Sequence, residues 1–191
     1  MGEKAQAWKV IHSSDRQNWR TPSHFFDDLN EVFNFKLDVA SDGHNALCDR
    51  YYTPEDDALK QSWNAGSGHW SWCNPPYGRG LKHWIHKAVE ESKLGARVVV
   101  LAFACTDTQW FREAWCHARE IWFFSGRIKF TDPDNPEAKK SPAPKGSALY
   151  VFDGQSHIAP VIRLCTLGGN GWATPREISN PTTRYRIVEP N

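Results

Sequence analysis

No CxxC pair occurs among the five cysteines (Cys48, Cys73, Cys105, Cys116 and Cys165), and their number is odd. That argues against a disulfide frame and against a zinc site, and fits free thiols in a reducing cytosol. No apolar run approaches the roughly 20 residues of a membrane span, and the N-terminus shows no signal-type apolar core. The expectation is a soluble, cytoplasmic protein with no membrane partner. Neither sign of charge is in excess: 23 Lys and Arg stand against 22 Asp and Glu, for a net charge of +1. Any nucleic-acid footprint must therefore come from a local patch. The dinucleotide fingerprint GxGxxG is absent, and no internal repeat is visible. No metal site is expected either, because His83 and His86, one helical turn apart, have no third ligand and Cys116-His117 stands alone.

What is present describes one globular domain. The chain has 191 residues, 40% hydrophobic and 24% charged, enough for one real core and too few for two. Ten tryptophans are many for this length, and some are expected to line a pocket. Residues 1–18 are polar with little periodicity and read as a flexible arm. Thr21 and Pro22 announce a helix, Thr21 as N-cap and Pro22 at the first position. Phe25, Phe26, Leu29, Val32 and Phe33 form its apolar stripe, and Asn34 closes it in the left-handed conformation. Residues 35–40 read as a buried strand ending at Asp38 and Ala40, before a Ser41-Asp42-Gly43 turn. Residues 50–53 suit a short strand. Residues 55–63 start with acids, as a helix N-terminus does. The three acids are a solvated helix start, or else Asp57 joins Leu59 and Trp63 in a clasp for a purine. Residues 97–103 form a buried parallel strand, Thr106-Asp107-Thr108 caps a helix, and residues 120–125 form another strand. Residues 131–146, with four prolines, form a long surface loop. Residues 147–152 return as an antiparallel strand, and a shorter strand at 161–165 precedes a tail. Strands alternating with helices before an antiparallel end predict a doubly wound α/β sheet over residues 19–166, with a tail at 167–191.

The chain is organised around residues 69–78. His69 to Cys73 alternate aromatic with small residues, as a strand stacked on both faces does. Asn74, Pro75, Pro76 and Tyr77 cannot continue the sheet, because two prolines lack N–H donors and fix φ, and Gly78 frees the chain to turn. Leu81, Trp84, Ile85, Ala88 and Val89 then mark one face of a helix. The four residues thus occupy a stiff turn at the carboxyl end of a strand, where open α/β sheets bind ligands. Pro76 holds Pro75 extended and so aims its carbonyl. The Asn74 side-chain oxygen is a second acceptor, and Tyr77 offers an aromatic face. Two acceptors beside an aromatic plane suit an exocyclic amino group on a planar ring, such as N6 of adenine.

Asn74-Pro75-Pro76-Tyr77 resembles the Asn-Pro-Pro-Tyr motif of amino methyltransferases. Taken in order with residues 19–22, 37–40, 57–59 and 126–130, it makes residues 17–153 similar to the phage-type DNA N6-adenine methyltransferases. The resemblance implies a Rossmann-like methyltransferase core that uses S-adenosyl-L-methionine, acts on DNA, and protects phage DNA from restriction. It assigns Asn74, Pro75, Pro76 and Tyr77 to catalysis. It places Trp19, Thr21 and Pro22 over the cofactor, Asp38 at the first strand's end against it, and Asp57 with Leu59 around its adenine; Ala40 and Trp63 join them as cofactor-binding candidates. The chain departs from the pattern after the first strand, where Ser41-Asp42-Gly43-His44-Asn45 replaces a glycine-rich turn.

An amino group on an aromatic ring is a poor nucleophile because its lone pair is delocalised. Acceptance of its hydrogens by Asn74 and the Pro75 carbonyl would turn the nitrogen tetrahedral and stabilise the charge developing on it. The base has to leave the duplex, and Tyr77 is the expected stacking partner. Arg79, Lys82, Arg127, Lys129, Lys139, Lys140 and Lys145 are the candidates for phosphate contact. The same motif suits an adenine in RNA or a glutamine in a protein, and a non-catalytic DNA-binding module on this scaffold is a further alternative.

Overall fold

The structure, a computed structural model, describes residues 19–130, 141–143, 145–168 and 171–172. The expected arm at 1–18, most of the expected tail, and Lys139 and Lys140 lie outside these residues.

Helix α1 (Ser23–Phe33) runs into Asn34, whose φ of 55° and ψ of 63° are left-handed as expected, with its N–H returning to Asn30. Phe25, Phe26, Leu29 and Phe33 are buried, whereas Val32, expected in the stripe, is largely exposed. The helix starts one residue later than the sequence signal suggested. Pro22 is the N-cap, extended at ψ 135° and without a side-chain cap bond, because the Thr21 hydroxyl is used elsewhere.

Strand β1 (Phe35–Asp38) pairs in parallel with β2 (Arg50–Tyr51) and β3 (Trp70–Cys73). The segment between β2 and β3 corrects the expected helix at 55–63. Only one 3₁₀ turn forms, Ala58–Lys60, preceded by Asp57 in the left-handed region at φ 54°. From there the chain is held by tertiary bonds: the Trp63 N–H donates to the buried Glu91 carboxylate at 2.8 Å, and the Trp63 indole donates to the Ala58 carbonyl at 2.8 Å.

Helix α2 (Leu81–Lys93) buries Leu81, Trp84, Ile85, Ala88 and Val89, the face expected from their spacing. Strand β4 (Val98–Phe103) continues the parallel pairing beyond β3. Helix α3 (Gln109–His117) is capped by Thr108, whose hydroxyl accepts from the Phe111 N–H at 3.2 Å, a bond that stabilises the helix by about 1 kcal/mol. Strand β5 (Glu120–Ser125) leads into a ribbon in which β6 (Lys129–Phe130) pairs antiparallel with β7 (Ser141–Pro142). The expected loop is therefore anchored to a short ladder at its far end. Strand β8 (Ser147–Phe152) enters between β4 and β5, antiparallel to both. Strand β9 (Val161–Gly168) pairs in parallel with β5, and β10 (Gly171–Trp172) pairs with β9, so the sheet reaches past the strand expected at 161–165.

The sheet has eight strands in the order β10-β9-β5-β8-β4-β3-β1-β2, with β8 and β10 antiparallel to the other six. Helix α1 covers one face over Trp72, Val99, Leu101, Trp122, Leu149 and Val151. Helices α2 and α3 cover the other over Cys73, Val98, Val100, Ala148 and Tyr150. Burial of each such large apolar side chain contributes roughly 1.5–3 kcal/mol. Gly154 shows how closely the layers approach: a Cβ there would lie 1.9 Å from the Ser92 carbonyl at the end of α2. The carboxyl ends of β1, β3, β4 and β5, together with the amino end of β8, meet on one edge of the sheet.

Candidate active site

That edge gathers the residues singled out by the sequence. Strand β3 ends at Cys73, and the chain then turns through Asn74, Pro75, Pro76 and Tyr77 to Gly78, whose φ of 129° favours glycine. The Asn74 amide donates both hydrogens backwards, to the Trp19 carbonyl at 2.7 Å and to the Thr21 hydroxyl at 3.0 Å. The amide is thereby oriented, and Oδ1 points the other way, buried and without a partner. An orphaned buried acceptor costs about 1–3 kcal/mol, so the fold keeps this oxygen dry and aimed at the expense of stability.

Tyr77 lies beside it, 3% exposed, with its ring 4.3 Å from that of Phe103 and edge-on to Phe130 at 6.1 Å. Trp19 packs on Phe130 at 6.2 Å, so the segment before α1 and the β6–β7 ribbon close over the turn. The Tyr77 hydroxyl is buried and unpartnered. Burial pushes its pKa far above that of a free phenol, and it keeps its proton.

Asp38 ends β1 on the same edge and is 3% exposed. Its Oδ1 accepts from the Ala40 N–H at 3.1 Å and its Oδ2 from the Leu47 N–H at 3.2 Å, closing the 38–47 loop from within. The glycine-rich turn is thus replaced by side-chain acceptors. Asp42 holds the His44 and Asn45 backbone amides at 2.9 and 3.0 Å, and the Asn45 side-chain Oδ1 accepts from Ser41 Oγ at 3.0 Å. Arg20 bridges to Asp42 at 3.0 Å and ties this loop to the segment before α1. Burial raises the Asp42 pKa, but the Arg20 guanidinium and the two amides outweigh it and hold the carboxyl below its usual range. Asp38 has no such cation. Burial dominates over its two amide bonds and pushes its pKa up to about 6. A buried carboxylate with no cation beside it is able to receive a positively charged group.

The clasp at 57–63 is only partly assembled. Asp57 is spent on Lys60 at 2.6 Å, and Leu59 is partly buried against the core. Trp63 corrects the expectation: it is fully buried, its ring tilted against that of Trp84 at 5.8 Å and its indole N–H on the Ala58 carbonyl, so it supports this loop from behind instead of presenting a face. Among the basic candidates, Arg79 and Lys82 are exposed beside the turn, and Lys129 and Lys145 are exposed on the same edge. Lys145 Nζ lies 3.6 Å from Cys105 Sγ. Arg127 donates to the Ala143 carbonyl at 2.6 Å and braces the ribbon.

Sequence reasoning missed Phe103 and Ser147, the paired residues where β4 ends and β8 begins. Their signal is the alternation of both strands, which puts them on the Tyr77 face. Burial pushes the Cys48 thiol up to about 12 and raises the Cys73 thiol well above its ordinary value, so neither supplies a thiolate at neutral pH. No group of three or more His, Cys, Asp or Glu among the described residues is arranged to hold a metal, and no described helix is long and apolar enough to cross a membrane.

Comparison with known proteins gives this geometry a context. A family model described as DNA N-6-adenine-methyltransferase (Dam) matches residues 9–167. A DNA N-6-adenine-methyltransferase of Escherichia phage T1 is 27% identical over 186 residues, spanning 85% of this chain and 76% of the phage protein. A protein of the same name from Haemophilus phage HP1 is 31% identical over 128 residues, spanning 65% of this chain and 72% of its own. The putative methyltransferase YfdM of Escherichia coli is 43% identical over 63 residues, 31% of this chain and 69% of that protein.

Proposed function

Since the chain belongs to the DNA N-6-adenine-methyltransferase family, we propose that the Asn74 side-chain oxygen is the acceptor that activates the target amino group. The chain is an adenine-specific DNA methyltransferase, and its substrates are DNA and a methyl donor of the S-adenosylmethionine type. In our reading the donor is S-adenosyl-L-methionine itself, and the protein works in the cytoplasm. Acceptors in RNA or protein, and a non-catalytic scaffold, are set aside by the family.

The observation that carries the proposal is the oriented amide. Trp19 and Thr21 take both Asn74 hydrogens, leaving Oδ1 buried, unpartnered and free to accept. An N6 hydrogen donated to Oδ1 satisfies it. The second N6 hydrogen goes to the Pro75 carbonyl, which the Pro75-Pro76 pair holds extended. Both bonds draw the nitrogen towards tetrahedral geometry and strengthen as positive charge builds on it. Alignment supplies the remainder, and no strong base is required of the protein. When bound, the donor supplies an electrophilic methyl group on a sulfonium. Asp38 offers it a carboxylate lacking a counter-charge, with the Ala40 backbone alongside. Trp19 and the buried Pro22 lie over it in the segment before α1; Leu59 contributes from the 3₁₀ turn, and Asp57 does so by leaving Lys60. Tyr77 provides the surface for the flipped base once Trp19 and the ribbon part from it. Arg79, Lys82, Lys129 and Lys145 contact the phosphates.

The test is transfer of labelled methyl to unmethylated duplex DNA, with nucleoside analysis of the product. Asn74→Ala is expected to abolish N6-methyladenine while the donor still binds with nearly unchanged affinity. Near-normal turnover in that variant overturns the assignment.

A further inference from the structure

Asn74 Oδ1 and the Tyr77 hydroxyl are not alone on this edge: Ser147 Oγ is also buried without a partner. Ser147 is 2% exposed and opens β8 opposite Phe103, the last residue of β4. Side chains alternate along a strand, and Leu149 and Val151 both enter the core beneath α1. Ser147 therefore points to that face too. Phe103 lies there, with the Tyr77 ring on it at 4.3 Å. Asn74, two residues past Trp72, is on the same face and bonded to the segment before α1.

The three groups thus lie on one face of the sheet at the same edge, with the Tyr77 and Phe103 rings among them. Strands β3, β4 and β8 are neighbours, and Cys73 pairs with Val100, Val100 with Tyr150 and Phe103 with Ser147, so Ser147 stands two strand spacings to the side of Asn74 and two residues farther along, roughly 12 Å between backbones. In adenine the ring nitrogen directly across from the amino group is N3, roughly 4 Å from N6. With a hydrogen bond of about 2.9 Å at each end, the base bridges roughly 10 Å between acceptor and donor atoms, a span that fits between two side chains whose backbones are about 12 Å apart. A serine hydroxyl donates as readily as it accepts, and the acceptor it lacks here is what an unprotonated ring nitrogen provides.

We propose that Ser147 Oγ donates a hydrogen bond to N3 of the flipped adenine, fixing the base at the end opposite Asn74. The inference rests on the reading of Asn74 given above. Ser147 then contributes to specificity: a base is held only if it presents an amino group and an unprotonated ring nitrogen across the ring from it. A site built to satisfy a buried donor rejects a base that cannot, because the hydroxyl stays unpaired.

The experiment crosses protein and substrate. Wild type, Ser147→Ala and Ser147→Thr are assayed for kcat/KM on duplexes carrying adenine or 3-deazaadenine at the target, with 7-deazaadenine as control. Expected are a roughly tenfold loss for Ser147→Ala on adenine, a similar loss for wild type on 3-deazaadenine, and no further loss when the two are combined. Ser147→Thr, which keeps the hydroxyl, retains most of the activity. Losses that multiply in the combined case, or a loss that couples to 7-deazaadenine instead, overturn the assignment. The 3-deaza substrate probes the unmutated protein, so poor folding of a variant cannot hide the answer. Wild-type protein that forms no N6-methyladenine on ordinary DNA overturns the Asn74 reading; full wild-type activity without coupling overturns only Ser147.

Discussion

Asp38→Asn separates a cost to stability from a contribution to binding. The Asp38 carboxyl is pushed from its ordinary 3.8 to about 6 by burial, which outweighs the Ala40 and Leu47 amides, with Asp42 adding repulsion. A folded-state pKa above the unfolded one means that the native protein holds this proton more tightly. The stability linked to Asp38 is fully present below pH 3.8 and is lost as pH rises through 6. Ionised at neutral pH, the group costs on the order of 3 kcal/mol. Between pH 7.5 and pH 5 wild type should recover about 1.4 kcal/mol of that cost. Asp38→Asn removes the titration and should show none of this recovery, whatever constant offset it takes from losing one acceptor for a backbone N–H. Urea unfolding of both proteins at the two pH values reads the difference directly, and the comparison cancels every other titrating group. A cationic donor makes the complementary case. It must expel the proton before pairing with the carboxylate, so wild-type donor affinity should weaken about tenfold from pH 7.5 to pH 5, while that of Asp38→Asn stays flat. Parallel pH profiles for the two proteins in both assays would refute the claim that Asp38 waits for a positive charge.

Thr21→Val removes one of the two acceptors that orient Asn74 and should lower kcat about tenfold, with Thr21→Ser restoring it; steady-state kinetics check both. Tyr77→Phe deletes an unpartnered buried hydroxyl, so transfer should stay within about twofold of wild type and stability should hold or rise by about 1 kcal/mol. Tyr77→Ala should lose transfer altogether and about 3–5 kcal/mol of stability, as read by activity and by denaturation. Neutralising Arg79, Lys82 and Lys129 together should flatten the slope of log affinity for duplex DNA against log salt by about 2.7. An unchanged slope in a binding titration removes them from the footprint.

Local patterns in the chain carried most of the fold. Asn34 after an apolar stripe marks the end of α1, and the spacing from Leu81 to Val89 marks the buried face of α2; both signals lie within a turn or two of the residues they describe. The failures share one cause. Thr21-Pro22 reads as a helix start, yet the Thr21 hydroxyl is taken by Asn74, 53 positions away. The acids at 55–57 promise a helix, but Asp57 takes the left-handed conformation, only one 3₁₀ turn follows, and the chain beyond it is fixed by the bond from the Trp63 N–H to Glu91, 28 positions away. At the site, Asn74 to Tyr77 were legible because two prolines in succession leave a strand no other course. Ser147 was not, because a serine at a strand's start is unremarkable until Phe103 lies opposite and Tyr77 sits on that ring.

The placement of β8 also governs how the protein comes into being. Strand β8 lies between β4 and β5, and it is the last of the three to leave the ribosome. Until Phe152 has emerged, the apolar edges of β4 and β5 have no strand to join them, and each is a template for pairing with another chain. Contacts between Val98 and Phe152 span 54 positions, so closing the sheet carries the slow step that long-range strand pairing imposes. A chain that stops before Ser147 would keep most of its named site residues and still be unable to complete the floor they stand on. Its expected fate is aggregation, and a folding interaction that shields those two edges would raise the yield of active enzyme more than any stabilisation of the finished site.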